Sequence, residues 1–287
     1  MSVIAVIFDF DDTLVPDSTT QLLRKYGVDT DQIWTVEAVR LVNDGYDPPL
    51  AYLRLLLDRV GPTKPLGSLN NAALRAFGAT LDPTYFDGLP QMFDDLREIV
   101  RQSEIPDLTI EFYVVSSGLE EVIAGSAIIQ RYFTGYYGCQ LDEDPEFGIL
   151  KYVKRCITFT EKTRYLFEIN KGIVARDSRT KPHLVNQRVE ERDRRVPFDH
   201  MIYIGDGLTD IPCFSLVAQQ KGMTFGVFQP GAESAKQAFQ RFLKTDRVHA
   251  LYSPRYAADA DLGSMIRAAV SSKIAEIAVR RKGPMAY

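Results

Sequence analysis

Residues 3–17 read VIAVIFDFDDTLVPD: a short apolar, β-branched run, then Asp9, Asp11 and Asp12 within four positions. A run of this length and composition, bounded by acids, predicts a buried strand over Val3–Phe8. Its ending raises an electrostatic problem. Two like charges about 4 Å apart, at an effective dielectric near 20, repel by on the order of 4 kcal/mol. Carboxylates clustered at the end of an apolar strand therefore call for a cation, a shared proton or full hydration.

Working outward, the next strong strand is TIEFYVVSSG at 109–118, and the chain between reads as helices. Ile33, Val36, Val39 and Val42 recur at helical spacing, and Gly45 closes that run. Residues 48–61 open with prolines and carry leucines, residues 68–78 form a weaker helix, and 87–102 form a fourth with Pro90 near its first turn. The Pro/Gly cluster at 86–90 reads as a return linker. The organisation expected is a core of residues 1–16 and 88–287 with a small α-helical insertion at 17–87.

After Gly118 strands and helices alternate: LEEVIAGSAIIQRYF helical, GYYGCQL and KRCITFT extended, TEKTRYLFEINKG helical, MIYIGDG extended, DIPCFSLVAQQKG helical, TFGVFQP extended, and a last helix through DLGSMIRAAVSSKIAEIAVRR. That rhythm predicts an α/β fold with a parallel, Rossmann-like sheet. Residues 173–199, dense in arginine and acids, read as a solvated surface excursion.

Composition narrows the function classes. The 287 residues are 45% hydrophobic and 25% charged with a net charge of −4, an ordinary globular balance without a basic footprint for nucleic acid or an anionic membrane. The three cysteines, Cys139, Cys156 and Cys213, form no CxxC pair, so neither a zinc site nor a disulfide framework is indicated. No uncharged apolar run approaches the roughly 18 residues of a membrane span. The first residues lack the features of a signal peptide, and a reducing cytoplasm is the expected location.

In open parallel sheets, ligands lie beyond the carboxyl ends of the strands. Three strands finish in notable residues: Asp9-Phe10-Asp11-Asp12-Thr13, Ser116-Ser117-Gly118, and Gly205-Asp206-Gly207-Leu208-Thr209-Asp210. If parallel, these ends converge on one site of hard oxygen ligands without histidine or thiolate, a set that suits Mg2+. Each piece also has a plainer reading. The first acids could cap a helix, Ser116 could be an N-cap, Asp206-Gly207 a hairpin turn, and Asp210 the cap of the helix holding Pro212. A calcium loop fits badly, since its sixth and twelfth positions from Asp9 are Leu14 and Thr20. Lys162, in the first turn of a helix, opposes the helix dipole by roughly 0.3–1 kcal/mol. A role facing the carboxylate cluster accounts for that placement, and Lys171 is the rival.

At these positions the chain resembles the haloacid dehalogenase superfamily of phosphohydrolases. DxDx[TV] is matched by Asp9 to Thr13, the strand ending in Ser by Val114-Val115-Ser116, the helix-opening lysine by Lys162, and GDxxxD by Gly205 to Asp210. The insertion after the first motif is similar to the C1-type cap of the phosphoserine-phosphatase-like branch. The resemblance implies Asp9 as nucleophile forming an aspartyl-phosphate and Asp11 as general acid and base. It implies Mg2+ held by Asp9, the backbone carbonyl of Asp11 and Asp206, with Asp210 ligating through water or orienting Lys162. Phosphate would be held by Ser116, Ser117, Lys162 and backbone N–H groups including those of Phe10 and Asp11, and the substrate would be a small phosphomonoester. Retention of Asp11 implies an oxygen leaving group. Where phosphoserine phosphatases carry a glutamate for the substrate ammonium, this chain has Ser18 with Asp17 beside it; Arg40 and Arg54 could meet an acidic tail. A phosphotransferase or mutase, or a non-catalytic magnesium- and phosphate-binding protein, are the alternatives.

Overall fold

The opening run is the middle strand of a sheet. The structure is a computed structural model that describes residues 2–229, 231, 236–245 and 247–281. Strand β1 (Ser2–Phe8) lies between β2 (Leu108–Leu119) and β5 (Met201–Gly205), parallel to both. With β3 (Gly135–Glu143), β4 (Leu150–Arg155), β6 (Met223–Val227) and β7 (Ala250–Tyr252) they form a seven-stranded sheet ordered β4-β3-β2-β1-β5-β6-β7. Val3–Phe8 is at most 1% exposed at every position, so side chains on both faces are covered, and the strand is a continuous apolar run rather than an alternating one. Helices α6 (Gln91–Gln102) and α12 (Asp261–Arg281) pack together against β2 and β1; α9 (Glu161–Lys171) and α11 (Ile211–Gln219) pack together against β2, β5 and β6.

Register fixes the site. Phe8 lies opposite Val114 on one side and Ile204 on the other, so the residues after each finish side by side at one sheet edge. The strand order reverses about β1, which makes this edge the switch point of the sheet.

Several local expectations are corrected. The sheet is not wholly parallel: β4 runs antiparallel to β3 as an edge hairpin. That strand begins at Leu150, and of KRCITFT only Lys154 and Arg155 belong to it. LEEVIAGSAIIQRYF is two helices, α7 (Glu120–Gly125) and α8 (Ala127–Tyr132). Ser126 leaves the helical conformation between them, and its hydroxyl accepts the Ile129 N–H at 3.3 Å as the cap of α8. Strand β7 was not anticipated.

Between β1 and β2 the chain forms α1 (Ser18–Lys25), α2 (Thr30–Gln32), a π-helical turn at Ile33–Glu37, α3 (Ala38–Asn43), α4 (Pro48–Leu57) and α5 (Asn71–Gly78). The valine stripe here faces outward, with Val36, Val39 and Val42 at 51%, 48% and 38% exposure, while Ile33 and Leu41 are buried. The end of this segment is fastened to the helices beside the sheet. A Cβ on Gly78 would lie 1.9 Å from the Val122 carbonyl oxygen, and one on Gly125 would lie 2.0 Å from that of Arg75. Helices α5 and α7 thus touch backbone to backbone, which only glycine at both crossings allows. The Leu150 N–H donates to the Leu69 carbonyl at 2.9 Å, and the Asn71 N–H donates to the Glu143 carboxylate at 2.7 Å.

The arginine-rich excursion holds α10 (Ala175–Thr180) and three 3-10 turns at Pro182–Asn186, Glu191–Asp193 and Phe198–His200. Among the described residues no helix is long and apolar enough to cross a membrane.

Candidate active site

The edge where β1, β2 and β5 end is lined by a pocket of about 280 Å³ containing Asp9, Asp11, Ser116, Ser117 and Asp206. Beneath it lies Lys162, on the first turn of α9 and fully buried. Its ammonium donates to Asp9 Oδ2 at 2.6 Å and to Asp210 Oδ1 at 2.7 Å. Helix α9 therefore carries its lysine into the cluster, and the burial of two carboxylates beside it compensates what the helix dipole opposes. Lys171 lies elsewhere, with its ammonium on the Val185 and Gln187 carbonyls at 2.5 and 2.7 Å. Lys162 is the lysine of the site.

Asp210 does not cap α11. Its Oδ2 accepts the Gly207 N–H at 2.9 Å, and its Oδ1 accepts the Tyr203 hydroxyl at 2.6 Å besides the lysine. Both oxygens are engaged by the chain, so Asp210 orients Lys162. Asp206 is different: its partner is the Thr13 hydroxyl at 3.4 Å. Burial, and then the carboxylates of Asp9, Asp210 and Asp12, hold its carboxyl well above the usual range. Burial also pushes Asp210 up to about 6 against the pull of Lys162. On Lys162 itself burial acts to lower the pKa, but Asp210 and Asp9 outweigh it and hold the ammonium above its ordinary value. One ammonium thus sits among three acidic groups and bonds two of them.

That imbalance is the test of whether a divalent cation fits. Asp9, Asp206 and Asp210 each offer a carboxylate oxygen, all within 4.8 Å of one another. The donors are hard oxygens, and among the described residues Asp206 has no cationic hydrogen-bond partner, so the residues suit Mg2+.

Asp11 is held by the start of α1, where its Oδ1 accepts the Ser18 N–H at 2.7 Å. Gly118 closes over it: a Cβ there would lie 2.4 Å from Asp11 Oδ2. Burial, then the neighbouring Asp17 carboxylate, push Asp11 up to about 8. Asp12, with φ of 53°, turns the chain away from the strand; burial and Asp17 push it up to about 6.

Ser116 is buried, and its hydroxyl oxygen accepts the Gly118 N–H at 3.0 Å, which leaves its own proton to donate. The Ser117 hydroxyl is buried and has no hydrogen-bond partner among the described residues. The expectation for Phe10 is corrected. Its ring is fully buried, and its N–H donates to Asp9 Oδ1 at 2.7 Å, so it is not free for a phosphate.

Apart from Asp17, the mouth comes from residues that the motifs did not indicate. Asp17, Thr19, Trp34 and Tyr52 from the inserted helices, with Leu208 and Thr209 after β5, surround the carboxylates. Tyr52 donates to the Ser117 carbonyl at 2.6 Å and so ties α4 to the end of β2. Tyr203 was also missed. Its signal was a tyrosine in an otherwise aliphatic strand, three residues before the Asp206 turn. Arg40 and Arg54 do not line the pocket; Arg54 is exposed and donates to the Tyr46 hydroxyl at 2.6 Å.

No family model matches the chain. A curated protein of Borreliella burgdorferi, described as an uncharacterized protein, is 32% identical over 274 residues, covering 88% of this chain and 92% of that one. Among solved structures, a HAD family hydrolase from Salmonella enterica serovar Typhi aligns with 89% of this chain and 69% of its own at a TM-score of 0.55 and 14% identity. A probable phosphoserine phosphatase from Vibrio cholerae aligns with 99% of this chain and 68% of its own at 0.55 and 12% identity.

Proposed function

For a chain that belongs to one family with the Borreliella burgdorferi protein and has the fold of the haloacid dehalogenase-type hydrolases, we propose a Mg2+-dependent phosphatase acting on a small phosphomonoester through an aspartyl-phosphate. The observation that carries this reading is the buried ammonium of Lys162 bridging Asp9 and Asp210, with Asp206 beside them and Asp11 lining the same pocket.

Asp9 is the nucleophile, and attack by its carboxylate on phosphorus breaks the bond to the ester oxygen. Asp11 gives its proton to that leaving oxygen, a role for which a carboxyl still protonated near neutral pH is suited. Water then attacks the aspartyl-phosphate, Asp11 takes the water's proton, and inorganic phosphate leaves with Asp9 restored. Ser116, Ser117 and Lys162 hold the phosphoryl oxygens and stabilise the charge that develops on them. Asp9, Asp206 and the backbone carbonyl of Asp11 would hold Mg2+, which neutralises charge on the phosphoryl group when bound. Residues 17–87 form a cap over a core of 1–16 and 88–287, supplying the mouth through Asp17, Trp34 and Tyr52.

The test is hydrolysis of p-nitrophenyl phosphate by the purified protein with Mg2+ and with EDTA, beside Asp9→Asn. Turnover that requires Mg2+ and disappears in the variant is the expected result; turnover that survives Asp9→Asn would sink the assignment.

A further inference from the structure

The cysteines are spread through the sequence, yet the fold brings two of them together. In the antiparallel pairing of β3 with β4, Gln140 lies opposite Arg155. Cys139 and Cys156 stand one position further along, Cys139 within β3 and Cys156 just past the end of β4. The Ile157 N–H donates to Cys139 Sγ at 3.2 Å and holds the two segments together there. Opposed residues of an antiparallel ladder have Cα atoms about 4.5–5.5 Å apart and side chains on one face, within the roughly 4.4–6.8 Å that a disulfide spans.

Both residues are free thiols within hydrogen-bonding reach of each other. The Cys156 thiol, and then the Ile157 N–H, hold Cys139 below the ordinary thiol range against the effect of burial, while Cys139 and burial push Cys156 up. Cys139 is therefore the better nucleophile of the two and is buried. Cys156 is half-buried, and it is the sulfur that a small oxidant reaches.

The pair lies behind the end of β2. The Cys139 thiol donates to the Ser117 carbonyl at 3.2 Å, and the Tyr52 hydroxyl donates to the same oxygen at 2.6 Å. One carbonyl thus serves both the thiol and the side chain that ties α4 to the sheet. Trp34, the single tryptophan of the chain, has its ring centroid 6.3 Å from that of Tyr52. A disulfide would strip the Cys139 sulfur of its proton and draw it to about 2.05 Å from its partner. The Ser117 carbonyl would lose one of its donors.

We propose that Cys139 and Cys156 are an oxidative modification site, closed by a peroxide into a reversible disulfide that disturbs the Tyr52 tie. The Cys156 sulfur attacks one peroxide oxygen and the O–O bond breaks; the departing hydroxide leaves as water with the Cys156 proton, and a sulfenic acid remains. The Cys139 sulfur then attacks that sulfur, the S–O bond breaks, and a second water leaves with the Cys139 proton. The two sulfurs together lose two electrons and the peroxide gains them.

The test needs no turnover, so it is independent of the phosphatase reading. The full chain is treated with hydrogen peroxide, and Trp34 emission is followed before and after dithiothreitol. Alkylation in denaturant is expected to fall from three labels to one, that of Cys213, and a non-reduced digest to yield one peptide pair joined through Cys139 and Cys156. Trp34 emission is expected to shift as the bond forms and to return with dithiothreitol. Cys156→Ser, with Cys156→Ala as a second variant at this half-buried position, is expected to show neither the joined peptides nor the shift. Three labels after peroxide, a bond that involves Cys213, or joined peptides with unmoved Trp34 emission would each overturn the inference. So would an emission shift that persists in both variants.

Discussion

Asp12 offers a clean measurement of the electrostatic cost built into this site, because no step of the proposed reaction uses it. Its carboxyl is pushed from 3.8 up to about 6 by burial and then by Asp17. At about 1.36 kcal/mol per pH unit, that displacement sets a ceiling of about 3 kcal/mol by which ionised Asp12 destabilises the fold. Solvent at the pocket mouth screens part of it, so about 1–2 kcal/mol is expected. Asn fits the same place: it tolerates the left-handed φ of 53°, and its Oδ1 can still accept from the Asp17 N–H and from Gln229 Nε2, at 3.3 and 3.2 Å in Asp12. The sign follows from a folded-state value above the unfolded one. Stability from this group is complete below about pH 3.8 and is lost as pH rises through about 6. Asp12→Asn should therefore be more stable than wild type in EDTA at about pH 7.5, with about half to two thirds of that gap left near pH 4.5. Urea denaturation at the two pH values, analysed for midpoint and slope, measures it. A gap of the same size at both pH values, or a variant no more stable at the higher one, would refute the reasoning.

Three further outcomes are expected. Lys162→Met, which leaves Asp9 and Asp210 buried without their counter-charge, should destabilise the protein by about 3–5 kcal/mol near neutral pH and by less in acid; denaturation at both pH values checks this. Mg2+ at a hundredfold excess over its dissociation constant should add about 2.7 kcal/mol to wild-type stability; Asp206→Asn should lose that gain yet exceed wild type in EDTA, and the opposite order would remove Asp206 from the metal site. Asp11→Asn should slow hydrolysis of alkyl phosphates by about 10² to 10⁴ and of p-nitrophenyl phosphate far less, whereas uniform slowing across leaving groups speaks against an acid.

How much of this was legible beforehand depended on the kind of signal. The strand of residues 3–8 and the convergence of Asp9, Ser116 and Asp206 were readable because a buried parallel strand and its acidic end leave a local trace. Lys162 was readable because it sits where a helix does not favour it. The orientation of Val36, Val39 and Val42 was not, since helical spacing defines a face without saying what it meets. The antiparallel course of β4 had no signal of its own, because a run of four consecutive exposed residues fits either direction. Phe10 was misassigned because a motif position does not reveal that the adjacent Asp9 captures its N–H. Trp34 and Tyr52 reach the pocket only through the packing of the π-helical turn and α4, which no spacing within either element encodes, whereas Asp17 was legible beside Ser18 from its distance after the first motif.

The glycine-to-glycine crossing of α5 and α7 sorts the inserted segment into a fixed and a movable part. Two backbones in direct contact leave no side chains to slide or repack, so that crossing behaves as a weld. Should the mouth widen to admit a substrate, the displacement has to be borne by α1 through α4. The pivot points available to them are the chain entry near Asp17 and the loop from Gly61 to Gly67, whose glycines have φ of 149° and 53°. Trp34 lies on the movable side of that division and Asp9 on the fixed one, and the hydrogen bond from Tyr52 to the Ser117 carbonyl is the tie that such a displacement would have to break.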